Sequence, residues 1–412
     1  MELLLLQIFS ILRPPTLMDV GLNVLGMKMF DLAGVALIGI LVISIFIHLG
    51  LGKKIQWTAV DLLIVLYVLW CIGISIIYPD KTEPRDLVKW VSAFMTYLVA
   101  KTVIETHDDY AKIILLFLLG LSVPILISSI MIHLDLPSAL DKEYYATKLK
   151  LYKGAYDNCA NMAYSAFLYI VLALIYYRIV KLYPQKNEQR LNKIRIITYL
   201  LFIPSVLYCL IQSASRTAIL GLIIFLFLYL ITFARRALLA LVIAMFGALI
   251  LFSGSIKVLF MDVVDVYEGQ RPLERIGSGR PYVWIHNLSE YSKMSVDRKI
   301  AGSGIGNRIP VLTISRNGES FWPSHNDFLA VFIQTGVVGF LIFLLLQLAI
   351  FIRIKGMEGG ERSVFMAFFL ATMAMNFASN SFVSQFGLSQ IYFVIIAYID
   401  AVPKYKNHVD YH

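Results

Sequence analysis

The sequence predicts an all-α polytopic membrane protein of eleven or twelve transmembrane helices, with one long loop carrying short helices. Two observations carry that expectation. The 412 residues are 59% hydrophobic and only 15% charged, with a mean hydropathy of +0.74, whereas soluble globular chains are about 25% charged. The apolar runs are also unbroken over about twenty residues, the length a helix needs to cross about 30 Å of hydrocarbon. The strands of a membrane barrel would instead alternate in short segments. A soluble enzyme, a disordered chain and a fibre are excluded.

Taken in order, the predicted spans are 31–52, 58–78, 87–106, 111–134, 159–180, 194–212, 217–234, 237–260, 327–352, 363–382 and 384–402. Ahead of them, Met1–Leu12 is apolar but too short to cross, and Arg13-Pro14-Pro15 interrupts it. Either residues 16–29 complete a twelfth span or the segment lies in the interface. It lacks a basic n-region and a small-residue cleavage site, so no cleavable signal peptide is expected. The chain divides into an N-terminal bundle over 1–260, a loop over 261–326, and C-terminal helices with a tail over 327–412. The loop has the composition of a small folded unit, with Trp284 and helically spaced apolar residues around 282–294. Loops of this length are usually functional or disordered, and the aromatic content argues against disorder.

Lys and Arg collect in cytoplasmic loops. One alternate set of loops holds 17, including Lys53-Lys54, Lys101, Lys112, Arg178, Arg195, Arg235-Arg236, Arg353 and Lys404. The short segments of the other set hold 9, among them Arg13, Lys142, Lys148, Lys150, Lys153 and Arg216. This places the C-terminus in the cytoplasm and turns loop 261–326 outward. The net charge of +9 is read as anchoring charge, with no nucleic-acid partner. Cys71, Cys159 and Cys209 are scattered singly, which suits neither a disulfide framework nor a zinc site.

Ionisable residues are nearly absent from the span centres, where a proton- or ion-coupled transporter would keep them. The polar groups of interest lie at outward helix ends and in the long loop. Gln212-Ser213-Ala214-Ser215-Arg216-Thr217 is either a tight turn with a snorkelling arginine or a phosphate-binding turn, since the planar fork of Arg216 suits phosphate oxygens. Gly277-Ser278-Gly279-Arg280-Pro281 is followed by Trp284 and by Gly302-Ser303-Gly304-Ile305-Gly306. These glycines serve turns, or allow close backbone approach and offer N–H groups to an anion. Arg271 and Arg275 add further cations. His325-Asn326 precedes nine residues and then Gly336-Val337-Val338-Gly339. A histidine there is either a structural residue at a helix start or a base, its ordinary pKa of about 6.5 suiting proton abstraction near neutrality. The glycine pair permits close helix packing.

In this order, the Ser-Arg turn, the Gly-Arg-x3-Trp element, the Gly-x-Gly-x-Gly stretch and His-Asn-x9-Gly-x2-Gly resemble the O-antigen ligase and O-antigen polymerase family of bacterial membrane glycosyltransferases. The motifs run from about 205 to 345. The resemblance implies an inner-membrane enzyme with its site at the periplasmic face and a glycan on undecaprenyl diphosphate as donor. By the same resemblance Arg216 and Arg280 hold the diphosphate and His325 activates the acceptor hydroxyl. Ser215, Asn326, Arg275 and Trp284 are further candidates. No cofactor or metal is implied, and Asp262 and Asp265 are read as a solvated loop edge. The acceptor is either another lipid-linked glycan, for a polymerase, or lipid A core, for a ligase. Membrane lipids and, for a polymerase, a chain-length regulator complete the partners.

A phosphate-rich core would favour a strongly basic outer surface. Loop 261–326 instead holds eight bases and seven acids, and loop 135–158 four of each. That near-neutrality tilts the reading toward a polymerase. The rival from another class is a polysaccharide or lipid transporter whose arginines merely bind phosphate.

Overall fold

The computed structural model describes residues 2–19, 23–24, 27–52, 56–79, 82, 84–144, 149–184, 189–234, 280–306, 324–382, 385 and 387–409. The helices are α1 (Glu2–Leu12), α2 (Met29–Gly50), α3 (Ala59–Ile77), α4 (Pro84–Val103), α5 (His107–His133), α6 (Cys159–Leu182), α7 (Gln189–Gln212), α8 (Arg216–Phe233), α9 (Arg280–Lys293), α10 (Val296–Ala301), α11 (Asp327–Gly356), α12 (Gly359–Ala378) and α13 (Leu388–Val409). The fold class is the expected one, an all-α polytopic membrane protein. Five helices (α3, α5, α6, α8 and α11) are long and apolar enough to cross a bilayer, and α2, α7 and α13 contain shorter apolar stretches. The predicted span 237–260 lies outside the described residues. Helix α9 falls on the loop segment whose periodicity predicts it.

Local signals set the helix starts. Thr58 and Asp61 form a capping box on α3, with the Thr58 N–H donating to Asp61 Oδ2 at 2.6 Å. Asn158 accepts from the Asn161 N–H at 2.8 Å on α6, and Asn326 from the Leu329 N–H at 3.0 Å on α11. Each cap satisfies a backbone donor that the helix itself leaves over. Residues 135–158, read as a loop, contain an antiparallel hairpin, β3 (Leu140–Tyr144) on β4 (Leu149–Tyr152), following a two-stranded ribbon of β1 (Asn23–Val24) and β2 (Met27–Lys28). Lys150 Nζ donates to Asp135 at 2.8 Å and Tyr152 Oη at 2.7 Å, and these bonds hold the Asp135 carboxyl below the usual range.

The first segment packs one face into the bundle. Helix α1 stops at Arg13-Pro14-Pro15 after 11 residues, about 16 Å at 1.5 Å per residue. Leu6 and Phe9 are fully buried, and the Phe9 ring stands edge-on to Phe117 of α5. Arg13 is buried as well, donating from Nε to Gln390 Oε1 and from Nη1 to Thr16 Oγ1. It therefore acts inside the bundle and not as a loop cation. A side chain at Gly387 would collide with its guanidinium.

Lys101 is likewise an interior residue. Its ammonium pairs with Asp61 of α3 and, at 2.5 Å, with Asp400 of α13, while Arg353 Nε of α11 lies 2.8 Å from Asp400 Oδ1. Tyr97 Oη donates to Asp61 at 3.0 Å and to Asp400 at 2.9 Å. Two carboxylates against two cations make the cluster electroneutral, and it clamps four helices at one end of the bundle, the far end. Residues 216, 280 and 325 lie at the other, the site end.

Helix α11 is broken at Gly336, whose φ of 66° and ψ of −171° are open essentially to glycine alone. The carbonyls just before the break find donors from outside the helix. Ser303 N–H donates to Ile333 O at 2.9 Å, Gly304 N–H to Gln334 O at 3.3 Å, and Trp70 Nε1 to Thr335 O at 2.9 Å. Gly306 N–H takes the Gln334 side chain at 3.1 Å. The Gly-x-Gly-x-Gly stretch thus docks the loop onto the broken helix, and these three N–H groups are committed to protein acceptors instead of an anion. Gly302 and Gly336 meet back to back, and a Cβ on either would collide with the backbone of the other segment.

Two stability outcomes follow from these contacts. Lys101→Met leaves Asp61 and Asp400 facing each other with a cation removed, and should destabilise the protein by about 3–5 kcal/mol. Gly336→Ala should cost roughly 1–3 kcal/mol in backbone strain, with the collision added. Thermal unfolding in detergent reads both; a melting temperature unchanged in either variant contradicts the corresponding assignment.

Candidate functional site

At the site end, the turn Ser213-Ala214-Ser215 leads into α8. Ala214 sits at a φ of 49°, Ser213 Oγ donates to Leu210 O at 2.6 Å, and Ser215 N–H donates to Ser213 Oγ at 3.2 Å. The Ser215 side chain does not cap the helix. Arg216 is the first residue of α8 and is half-buried. A helix N-terminus carrying an arginine presents partial and full positive charge together, which favours an anion.

Arg280 opens α9 and reaches across to this turn. Its Nη1 donates to Thr217 Oγ1 at 3.1 Å and also to the Ala378 carbonyl, the last of α12. A cation at a helix C-terminus complements the negative end of the dipole. The two contacts bring Arg280 beside the residue that follows Arg216, although 63 positions separate Arg280 from Thr217.

One turn further along α9, Trp284 Nε1 donates to the Ser324 carbonyl at 2.7 Å, and its ring stands against Phe377. This holds the residue before His325. Ser324 Oγ donates to Asn326 O at 3.0 Å, and Asn326 caps α11. His325 itself adopts a φ of 49°, a left-handed conformation that costs an ordinary residue free energy and persists where its surroundings impose it. Here both neighbours are buried and hydrogen-bonded while His325 keeps partial exposure. Contacts thus join Arg280 to Thr217, the neighbour of Arg216, and Trp284 to Ser324, the neighbour of His325. Arg275 lies outside the described residues, as do Arg271, Asp262 and Asp265.

The sequence reading did not find a further part of the site. The turn after α12 touches Arg280 and two residues outside the motifs, Tyr164 and Asp327. Ala378 O accepts from Arg280, Ser379 Oγ from Tyr164 Oη at 2.7 Å, and Ser381 N–H donates to Asp327 Oδ2 at 2.9 Å. Asn376 Oδ1 stabilises the turn, accepting from Ser381 Oγ at 2.6 Å and the Phe382 N–H at 3.1 Å. Asp327 is fully buried, and Arg280 and Asp327 both lie within electrostatic range of Tyr164. The only signal was the Ser379-Asn380-Ser381 interruption between two apolar runs, which reads as an ordinary loop. Among the described residues, no three His, Cys, Asp or Glu side chains are grouped as metal ligands.

Helix α10 closes the site end on its other side. Tyr78, directly after α3, donates to Asp297 at 3.1 Å, and Arg298 lies over its ring. Hydrogen bonds from Ser295 and then Tyr78 hold the Asp297 carboxyl below the usual range.

Trp284→Phe keeps an aromatic ring against Phe377 but removes the donor to Ser324. The expected loss is about 1 kcal/mol of stability, read by thermal unfolding, together with faster backbone hydrogen exchange at 324–326. Unchanged exchange there would refute the role given to the indole.

Residues 199–344 match the family model described as O-antigen ligase. No curated protein matches the chain significantly. The matched stretch contains Arg216, Arg280, Trp284 and His325, and the family resemblance of the motifs is borne out. This match, over about a third of a multi-pass membrane protein, supports glycan transfer of the ligase and polymerase type.

Proposed function

We propose that this O-antigen ligase domain transfers a glycan from undecaprenyl diphosphate to an acceptor hydroxyl at the periplasmic face of the bacterial inner membrane, joining lipid-linked repeat units as a polymerase. The observation that carries the reading is the bond from Arg280 to Thr217, which sets two arginine-bearing helix starts side by side. A diphosphate leaving group at the edge of hydrocarbon needs fixed positive charge where its own charge develops, and Arg216, Arg280 and the start of α8 supply it. His325 takes the acceptor proton as the acceptor oxygen attacks the anomeric carbon. The bond from that carbon to the phosphate oxygen breaks, undecaprenyl diphosphate departs, and the configuration inverts. No metal takes part in this scheme.

The site end faces the periplasm in this reading because the larger share of Lys and Arg lies in the opposite loops, which puts the C-terminus in the cytoplasm. A polymerase is favoured over a ligase by the near-neutral outward loops. Transfer to lipid A core is the second reading, and the description of the matching family favours it.

Purified protein in nanodiscs, given a lipid-linked repeat unit as sole substrate, should build a ladder of products. A single shifted product formed only after lipid A core is added would make it a ligase. His325→Ala should lower turnover by about 10²-fold or more while donor binding is retained; undiminished glycan flux in that variant would mean a transporter. Arg216→Ala and Arg280→Ala should each slow transfer by about 10²–10³-fold and raise the donor concentration required. Full activity of the double variant would end the diphosphate-clamp assignment, and loss of activity with chelator, restored by Mg²⁺, would end the metal-free one.

A further inference from the structure

The outward face of α9 is apolar from Tyr282 to Leu288. Its inward face comprises Val283 and Asn287, both buried, and Tyr291, whose ring lies 4.5 Å from that of Phe332 on α11. A helix packed this way normally turns polar side chains outward. Here Tyr282, Ile285 and Leu288, three residues apart and so on one stripe, are 43%, 63% and 47% exposed. Ser289 and Ser292 end the stripe in the last turn, and the ion pair of Glu290 with Lys293, at 2.6 Å, lies to one side of it. Helix α10 continues it with Val296 and Ile300, 71% and 48% exposed.

The height of these helices is set by their anchors. Arg280 is bonded to the last carbonyl of α12 and the first turn of α8. Tyr78, at the end of α3, is bonded to Asp297 of α10. Both helices therefore run where the spans end. The exposed apolar belt of those spans reaches the same level, with Ile76 and Ile77 at the end of α3 and Val337 and Leu341 beside the break in α11. The apolar stripe is continuous with a surface that faces acyl chains.

We propose that α9 and α10 lie in the bilayer interface at the site end, with Tyr282, Ile285, Leu288, Val296 and Ile300 inserted among lipid acyl chains. Insertion removes exposed apolar area from water, leaves the Tyr282 hydroxyl at headgroup level and keeps Glu290 and Lys293 on the wet side, the arrangement of an interfacial amphipathic helix. The inference stands on burial and anchoring and is independent of the reaction proposed above.

The test is depth measurement by nitroxide labels at Ile285→Cys, Val296→Cys and, as control, Glu290→Cys. The three native cysteines are replaced by alanine and the protein is reconstituted in phosphatidylethanolamine–phosphatidylglycerol vesicles. The ratio of collisions with oxygen to those with a water-soluble nickel chelate should be several-fold higher at 285 and 296 than at 290. Equal chelate access at all three would place the stripe in water and overturn the proposal. Exclusion of both reagents would also overturn it, since protein such as a second copy would then cover the stripe. If the cysteine-free protein does not fold, Ile285→Trp in the parent protein is read by brominated-lipid quenching against the background of five native tryptophans. Added quenching supports insertion, and none refutes it.

Discussion

Backbone hydrogen bonding at the break in α11 is the constraint on which the rest of the site depends. Inside a bilayer no water replaces a lost helical bond, so a break survives only where protein groups take up the released carbonyls. Ile333, Gln334 and Thr335 obtain their donors from Ser303, Gly304 and Trp70. The segment that repairs the helix is therefore also the segment that fastens the loop to the bundle. Glycine at 302 and 336 is demanded from both sides of the contact, because two backbones meet there with no room for a Cβ.

Once the loop is fastened, the remaining contacts assemble in sequence. Arg280 is drawn to the end of α12 and the start of α8, Trp284 holds Ser324, and Asn326 starts the helix whose break lies ten residues on. His325 is left in a strained backbone conformation between two fixed neighbours. The turn over 376–382 is part of that frame, because it supplies partners to Arg280, Tyr164 and Asp327.

Charge is separated along the bundle. At the far end, Asp61, Asp400, Lys101 and Arg353 neutralise one another deep among four helices, an arrangement whose removal is costly and whose function is to hold helices together. At the site end, the cations stand at helix starts, where the dipoles add to their charge. The same residue types thus sit in a neutral cluster at one end and at helix starts at the other.

The helices were legible in the sequence wherever hydropathy decides them. Ten described helices fall on the predicted spans, since twenty apolar residues have few alternatives in a membrane. Helix α9 was legible from its spacing, and the family resemblance from the order of the motifs, which the match over residues 199–344 bears out. The burial of Arg13 and Lys101 was not legible, because a basic residue near a span end looks the same whether it snorkels outward or turns inward to a partner hundreds of positions away. Nor was the role of Gly302 to Gly306, since the same glycines that would cradle an anion also fit a close backbone contact. The sequence by itself determined which segments are helical, that they belong in a membrane, and which polar residues stand at their ends. Only the tertiary structure decided which of those ends meet, because long-range pairing such as Arg280 with Thr217 or Ser381 with Asp327 depends on packing between distant helices and leaves no periodicity or spacing in the chain.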